Sequence, residues 1–252
     1  MIANWFEHWF DSPLYEALYA HRDQDDAHLL AELIAGYAPY QHYPLLLDVA
    51  CGRGRHSLNF AQRGYQVTGL DLAPSAIQKA KNMAESLGLE VDFRVGDMRV
   101  ALDTRFDLIV NLFTSFGYFP TDSENELPLK AMAEMLKSDG QLWIDFLNPV
   151  YVRSTLVSED RGNIPGWEYL IKRWIDDQAV HKEIHLVQPD SGDEQIFREY
   201  VRLLDIHWFE SAANRVGLSL KEVFGNYQGQ PYLPESSPRM IMCFEYSANK
   251  QK

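Results

Sequence analysis

The chain has 252 residues, of which 46% are hydrophobic and 13% aromatic, and this composition argues against a disordered protein. Its formal net charge of −13 argues against a nucleic-acid partner, because such partners are held by Lys and Arg that displace counterions. The two cysteines have neither zinc-ligand spacing nor a disulfide framework, and no apolar run reaches membrane-spanning length. We therefore expect a cytoplasmic protein with a small-molecule partner, no bound metal, no nucleic acid and no membrane.

Residues 1–40 are predicted to form a helical cap. Apolar and aromatic side chains recur there at helical spacing, first at Tyr15, Leu18 and Tyr19 and again through residues 29–34. The segment is too acidic and too aromatic for a signal peptide.

Strand-like and helix-like runs alternate through residues 41–150. The predicted strands are LLLDVA, YQVTGLDL, VDFRVGD, FDLIVNLF and QLWIDFL. One intervening helix has Pro74 in its first turn and ends at Gly88, and another runs from Leu127 to Lys137 and is closed by Gly140. Repeated alternation of this kind predicts a doubly wound α/β core, that is, a parallel sheet covered on both faces.

The pattern changes after Pro149. Three strand-like runs, EYLIKRWID, AVHKEIHLV and EQIFREYVRLL, are joined by short polar connections, which predicts a small antiparallel sheet over residues 151–204. Residues 205–252 then give a helix ending near Gly217 and two strands, LSLKEVF and MIMCFEY, that rejoin the main sheet.

The most informative stretch follows the first strand of the core. Gly52 and Gly54 make a turn in which the backbone can approach a ligand, since a Cβ would clash there. The next strand ends at Asp71, whose carboxylate is placed to accept both hydroxyl groups of a ribose. This pair of features predicts a mononucleotide-binding half.

These residues resemble the class I S-adenosylmethionine-dependent methyltransferases. The first motif of that family is matched from Asp48 to Gly54, with Ala50 in place of its first glycine, and later motifs are matched at Asp71, at Gly96-Asp97-Met98 and along residues 106–119. The resemblance implies a Rossmann-like sheet of seven strands, the last antiparallel, with an antiparallel β lid inserted and an N-terminal helical cap. It also implies S-adenosylmethionine as the cofactor.

The resemblance assigns a set of side chains to cofactor binding. Asp71 would hold the ribose, Asp97 the adenine amino group and Met98 the adenine ring, while Asn111 and Phe113 would border the methyl group. An alternative for Asn111 is that it only satisfies backbone groups. The full predicted set is Tyr19, Arg22, Asp48, Ala50, Cys51, Gly52, Gly54, Asp71, Leu72, Asp97, Met98, Asn111 and Phe113.

Arg22, together with Tyr15 and Tyr19, is predicted to reach the carboxylate of the cofactor, because a guanidinium holds a carboxylate through a two-pronged contact. The alternative is a surface ion pair of Arg22 with Asp23 or Asp25.

The expected reaction is methyl transfer to a nitrogen or oxygen atom of a small metabolite. Only weak candidates exist for residues that act on the acceptor, namely His181, His185, Tyr227 and Arg239. The two histidines share one face of a predicted strand, and the sequence does not tell whether that face points to the site or outward. Arg239 either binds an acidic acceptor or pairs with Glu235.

Two other functions remain open from the residues alone. A nicotinamide-dependent oxidoreductase would use a similar turn, although Ser57 stands where its fingerprint has a third glycine. A non-catalytic module that binds S-adenosylmethionine would need no space for an acceptor.

Overall fold

The computed structural model of the chain describes residues 5–19 and 24–247, and within them eight helices and eleven strands. The helices are α1 (Trp5–Trp9), α2 (Pro13–Leu18), α3 (Gln24–Tyr37), α4 (Arg55–Gln62), α5 (Pro74–Ser86), α6 (Asp122–Met135), α7 (Pro149–Thr155) and α8 (Ile206–Arg215). The strands are β1 (Leu45–Val49), β2 (Gln66–Asp71), β3 (Val91–Val95), β4 (Phe106–Asn111), β5 (Leu136–Leu147), β6 (Glu159–Ile164), β7 (Trp167–Ile175), β8 (Ala179–Val187), β9 (Glu194–Arg202), β10 (Leu218–Phe224) and β11 (Arg239–Tyr246).

Seven strands form the central sheet in the order β10-β11-β5-β4-β1-β2-β3. The pairs among β1 to β5 are parallel, whereas β11 runs antiparallel to both β5 and β10. The seven-stranded sheet with an antiparallel last strand is therefore confirmed. Since the strand order reverses between β1 and β4, the carboxyl ends of these strands flank the place where open α/β sheets bind ligands.

Helices cover the central sheet on both faces, as the alternating pattern predicted. On one face Met132 of α6 and Phe209 of α8 pack with buried residues of β5 such as Phe146. On the other face Ile34 of α3 and Phe60 of α4 pack against β1 and β4. Burial on both faces explains why all six residues of β4 are buried.

Four strands form a separate antiparallel sheet in the order β6-β7-β8-β9, which we call the lid sheet. One of its faces packs on the two short N-terminal helices, where Trp9 and Leu18 meet Ile171, Ile184 and Leu186. The inserted antiparallel sheet was predicted, but β6 and the helix α7 before it were not, because the residues of β6 are mostly polar and exposed.

The predicted helix from Leu127 to Lys137 was wrong at both ends. Helix α6 begins five residues earlier because the hydroxyl of Thr121 and the side chain of Glu124 form a capping box. It ends at Met135, and Gly140 lies inside β5. A Cβ on Gly140 would lie 2.8 Å from the carbonyl oxygen of Asp107, so this glycine serves the close approach of two strands.

Candidate functional site

A cavity of about 1140 Å³ opens at the carboxyl ends of β1 to β4. Side chains of α1, α2 and β9, among them Phe10, Tyr15 and Glu199, also line it, so the cap and the lid sheet both border the site. The sequence-predicted residues in its wall are Tyr19, Ala50, Cys51, Gly52, Asp71, Leu72, Asp97, Met98, Phe113 and Arg239.

The turn between β1 and α4 has left-handed backbone at Ala50 (φ 59°), Gly52 (φ 56°) and Gly54 (φ 77°). The two glycines differ in what surrounds them. A Cβ on Gly52 would meet no atom within 4 Å, whereas a Cβ on Gly54 would lie 2.6 Å from Cζ of Phe93. Gly54 does not line the cavity, so its predicted contact with a ligand is replaced by close packing of the turn on β3.

Asp71 ends β2 with both carboxylate oxygens fixed by the backbone. The N–H of Gly52 donates to Oδ2 at 2.7 Å, and the N–H of Ala73 donates to Oδ1 at 2.9 Å. Burial raises the pKa of this carboxyl above the usual value of an aspartate. A carboxylate has about four acceptor positions, so Asp71 keeps capacity for the hydroxyl groups of a ligand in the cavity.

Asp48 is only 1% exposed and is not among the residues that line the cavity, so its predicted contact with the cofactor stays a prediction. The Ser57 hydroxyl donates to its Oδ2 at 2.5 Å and ties the end of β1 to α4. Burial raises the pKa of Asp48 to about 7, although the hydrogen bond from Ser57 opposes the rise.

This raised pKa makes the stability of the fold depend on pH. Because the folded-state pKa of Asp48 lies above the unfolded value of 3.8, the folded protein binds more protons between the two values, and its stability falls as pH rises from about 4 to 7. In Asp48→Asn the amide oxygen still accepts from Ser57, but no proton is bound there. Between about pH 5 and pH 6.5 we expect the free energy of unfolding of this variant to fall by about 2 kcal/mol less than that of the wild type.

Urea unfolding at the two pH values measures this difference. The exposed carboxylate of Asp92 on β3 supplies the control, since Asp92→Asn removes the same charge without removing a buried proton. A pH slope in Asp48→Asn equal to that of the wild type would contradict the expectation.

The loop after β3 brings Asp97 and Met98 to the cavity wall. Arg99 holds the Asp97 carboxylate, with Nε 3.0 Å from both oxygens and Nη2 2.5 Å from Oδ2. These hydrogen bonds lower the pKa of Asp97, which keeps a charged acceptor at this end of the cavity.

Asn111 at the end of β4 is fully buried and is not among the residues that line the cavity. Its Nδ2 donates to the carbonyl oxygens of Val49 and Ser115 at 3.0 Å and 3.1 Å. These hydrogen bonds agree with the alternative that Asn111 satisfies backbone groups, and its place beside the methyl group stays a prediction.

Phe113 and Thr114 form the wall beyond β4 in a strained conformation. Both are non-glycine residues in the left-handed region, at φ 58° and 61°. Asp145 of β5, which is fully buried, holds them there: its Oδ2 accepts from the N–H of Phe113 at 2.9 Å and its carbonyl oxygen accepts from the N–H of Thr114 at 3.0 Å.

Arg239 and Tyr227 complete the surroundings of Asp145. Nε of Arg239 donates to Oδ1 at 2.8 Å, and the hydroxyl of Tyr227 donates to Oδ2 at 3.2 Å. Arg239 thus pairs with Asp145, not with Glu235, and it lines the cavity. Tyr227 is not among the residues that line the cavity, and burial raises its pKa.

His181 and His185 are not among the residues that line the cavity, and nothing in the structure supports their role toward the acceptor. Each imidazole lies 2.7 Å from a carboxylate of the lid segment, and the His181 ring stacks on Trp174. Strand alternation puts the two histidines on one face of β8 and Lys182 and Ile184 on the other face. The face with Lys182 and Ile184 is the one that packs on the cap.

Glu199 of β9 joins the lid sheet to the cap at the edge of the cavity. Its Oε1 accepts from Nε1 of Trp9 and from the hydroxyl of Tyr19, each at 2.7 Å. Lys182 also contacts this carboxylate, with Nζ 3.4 Å from Oε2. Arg22, the remaining predicted residue of the cap, lies outside the described residues.

Several cavity residues were not predicted from the sequence. These include Trp5 and Phe6 of α1 and Phe10 just after that helix, and the dense spacing of aromatic residues near the N-terminus was a signal for them. His56, in the first turn after Gly54, is 7% exposed, and its Nε2 has no hydrogen-bond partner among residues 5–19 and 24–247. Burial lowers the pKa of His56 to about 3, so the imidazole is neutral.

Two kinds of feature are absent from the part of the chain that the structure describes. Across residues 5–19 and 24–247, no three His, Cys, Asp or Glu side chains are grouped as a metal site would require. Nor does any helix in those ranges combine the length and the apolar character needed to cross a bilayer.

Comparison with known proteins gives consistent results. A family model described as a methyltransferase domain matches residues 46–140. The dTDP-3-amino-3,4,6-trideoxy-alpha-D-glucopyranose N,N-dimethyltransferase of Streptomyces venezuelae is 24% identical over 230 residues, which cover 86% of this chain and 93% of that protein.

Two solved structures share the fold over nearly the whole chain. A S-adenosylmethionine-dependent methyltransferase from Clostridium acetobutylicum ATCC 824 superposes with a TM-score of 0.78 at 18% identity, covering 96% of this chain and 98% of that one. An amino pentose methyltransferase from Micromonospora echinaspora, solved with S-adenosylmethionine bound, gives 0.69 at 23% identity, covering 94% and 98%. Residues 46–140 thus match a methyltransferase domain, and the chain shares its fold with S-adenosylmethionine-dependent methyltransferases of known structure.

Proposed function

We propose that this chain transfers the methyl group of S-adenosylmethionine to an amino nitrogen of a small-molecule acceptor bound under the cap and the lid sheet. The observation that carries the proposal is one continuous cavity that joins the wall around Asp71 to the wall around Phe113 and Arg239. Its volume of 1140 Å³ exceeds the roughly 1000 Å³ at the upper end of single-ligand sites, so donor and acceptor fit together in it.

The residues of the first wall fit the cofactor chemically. Asp71 offers free acceptor positions for the ribose hydroxyls, and ionised Asp97 offers an acceptor for the adenine amino group beside the thioether of Met98. Gly52 leaves bare backbone and open space for the amino-acid end. When bound, S-adenosylmethionine supplies a methyl carbon already activated by its sulfonium sulfur.

The contribution of the chain is then to position the acceptor and to exclude water. Asp145 fixes Phe113 and Thr114 in one strained arrangement, so the wall that the acceptor meets is preorganised. Aromatic side chains of the cap, Trp5, Phe6 and Phe10, form the opposite boundary. A dry, fixed pocket suits a transfer whose main requirement is alignment of the acceptor lone pair.

The protonation properties of the cavity favour nitrogen over oxygen. A hydroxyl acceptor benefits from a general base, whereas a neutral amine brings its own lone pair. Beside Phe113, the imidazole of His56 has a pKa of about 3 that makes it a poor base at neutral pH, and the buried Asp145 carboxylate is occupied by hydrogen bonds from Phe113, Tyr227 and Arg239. The names of the relatives from Streptomyces venezuelae and Micromonospora echinaspora, both amino-sugar enzymes, agree with this choice.

Incubation with methyl-labelled S-adenosylmethionine and matched pairs of amino sugars and their hydroxyl counterparts tests the proposal. We expect label in the amine of at least one pair and none in its hydroxyl partner. Asp71→Asn serves as the control for background labelling that does not require binding of S-adenosylmethionine in this cavity. Preferential labelling of the hydroxyl compounds would contradict the choice of nitrogen, and binding of S-adenosylhomocysteine without transfer to either class would indicate a binding module.

A further inference from the structure

The wall beyond Phe113 carries hydrogen-bond donors that the folded chain does not use. A guanidinium has five N–H groups. In Arg239, Nε donates to Asp145 and Nη2 to Oγ1 of Thr114, and no described residue accepts a hydrogen bond from Nη1. The side chain is 19% exposed and lines the cavity, so the unused donors are within reach of a bound molecule.

Two hydroxyl groups that line the cavity, those of Thr114 and Ser115, also have donor capacity that no described residue uses. The Thr114 hydroxyl accepts from Arg239 at 2.9 Å, which leaves its own proton to be donated elsewhere, and no described residue accepts it. The hydroxyl of Ser115 forms no hydrogen bond with a described residue. Both residues line the cavity, and both are partly exposed.

The carboxylate of the same wall, a hydrogen-bond acceptor, already receives hydrogen bonds from within the protein. The carboxylate of Asp145 is fully buried and accepts from Phe113, Tyr227 and Arg239. A second guanidinium, that of Arg55, lies over the Phe113 ring with its Cζ 4.6 Å from the ring centroid. The wall therefore presents donors and positive charge to the cavity, and its one carboxylate is hidden behind them.

We propose that Arg239, Thr114 and Ser115 form a subsite for an anionic oxygen group, a carboxylate or a phosphate, carried by the methyl acceptor. The inference rests on the proposed function and extends it by naming the class of acceptor: a small amine that bears a negative charge. Anionic oxygens suit this subsite because they accept several charge-assisted hydrogen bonds at once, and a guanidinium matches them with two parallel donors. The Thr114 hydroxyl, on left-handed backbone, contacts the guanidinium directly, and Ser115, the next residue in the chain, lines the same cavity.

The simpler role for Arg239 is to neutralise Asp145 alone, and the choice of variants separates the two roles. Arg239→Lys keeps a cation for Asp145 but loses the two-pronged donor. Thr114→Val keeps the Arg239–Asp145 ion pair and the branched side chain but loses the hydroxyl. Arg198→Gln is the matched control for charge, because Arg198 pairs with Glu183 on the exposed face of the lid sheet.

The measurement is a titration of the S-adenosylhomocysteine-saturated protein with inorganic phosphate and, separately, with acetate, followed by the NMR signal of the backbone N–H of Ser115, which every variant retains. We expect saturable binding of at least one anion, with a dissociation constant raised about tenfold in Arg239→Lys and severalfold in Thr114→Val, and changed less than about twofold in Arg198→Gln. The anion that binds more tightly identifies the acceptor group as phosphate or carboxylate.

The outcomes distinguish this subsite from the proposed function. The affinity for S-adenosylhomocysteine, measured calorimetrically, is expected to be the same in the wild type and the three variants. If the wild type does not bind S-adenosylhomocysteine, the proposed function is overturned. No saturable shift with either anion, or equal affinities in the wild type, Arg239→Lys and Thr114→Val, would overturn the subsite. If Arg239→Lys does not fold, Thr114→Val decides alone.

Discussion

Asp71→Asn is expected to weaken the binding of S-adenosylhomocysteine about 100-fold, which corresponds to about 2.7 kcal/mol. The carboxylate already accepts from the N–H groups of Gly52 and Ala73 through different oxygens. An amide has one oxygen and one NH₂ group, so it can accept from only one of these two N–H groups. Its own NH₂ group then faces either the other backbone N–H or the hydroxyl groups of the ligand. Loss of two hydrogen bonds from ribose to a charged acceptor, at roughly 1.5 kcal/mol each, accounts for the magnitude.

Isothermal titration calorimetry with S-adenosylhomocysteine measures the change at a pH near neutrality. Asp92→Asn is the matched control, because Asp92 lies on the neighbouring strand β3 with its carboxylate exposed beside Arg94. Circular dichroism confirms that the variants are folded. A dissociation constant for Asp71→Asn close to that of Asp92→Asn would remove Asp71 from the cofactor site.

The central sheet and the lid sheet were predictable because they depend on local pattern. Alternating runs of strand and helix fix a parallel sheet whatever the individual contacts are, and the meander after Pro149 has the period of an antiparallel one. The glycine turn and Asp71 were predictable for the same reason, since a strand end and a tight turn place them at one edge. Their place in the cavity wall follows from topology.

The direction of single side chains was not predictable. Asp48 and Asn111 belong to the right strands but turn into the structure, Asp48 toward Ser57 and Asn111 toward two carbonyl groups. In the lid sheet, strand alternation separates His181 from Lys182, but only the packing of the cap on the sheet decides which face borders the site. These choices depend on tertiary contacts that a period of two residues does not encode.

Pairs that are distant in the sequence were the other gap. Arg239 meets Asp145 across 94 positions, and Tyr19 meets Glu199 across 180. The sequence offered Glu235 as a nearby partner for Arg239, yet β11 lies beside β5 and so brings Asp145 within reach. The partner of Arg239 at the cavity wall therefore depends on the register between non-consecutive strands, and no local sequence motif indicates that register.

Substitutions of the two glycines in the β1–α4 turn are expected to separate stability from ligand binding. In Gly54→Ala the new Cβ would lie 2.6 Å from Cζ of Phe93 and 3.2 Å from Cβ of Ala80, in left-handed backbone at φ 77°. Phe93 and Ala80 are buried in one core cluster and have little room to move. We expect the free energy of unfolding to fall by about 3 kcal/mol, from overpacking together with the left-handed conformation.

Gly52→Ala has the same backbone problem without the clash. Its Cβ would meet no atom within 4 Å, and Ala50 already stands at φ 59° in the same turn, so we expect a stability loss of only about 1 kcal/mol. The added methyl group would instead occupy open space at the wall of the cavity, and the affinity for S-adenosylhomocysteine is expected to fall at least about tenfold. Urea unfolding and calorimetry on the two variants measure both quantities.

The clash itself is tested by shortening the residue that causes it. Because leucine lacks the distal ring atoms, including the Cζ that the new methyl group would meet, Phe93→Leu is expected to cost less in the Gly54→Ala background than in the wild type, with a coupling of about 1 kcal/mol. No coupling is expected between Phe93→Leu and Gly52→Ala, since Gly52 has no atom of Phe93 nearby. If the stability losses of Phe93→Leu and Gly54→Ala are additive, Gly54 is required only for its backbone conformation. If Gly52→Ala binds S-adenosylhomocysteine with wild-type affinity, the cofactor does not approach this turn.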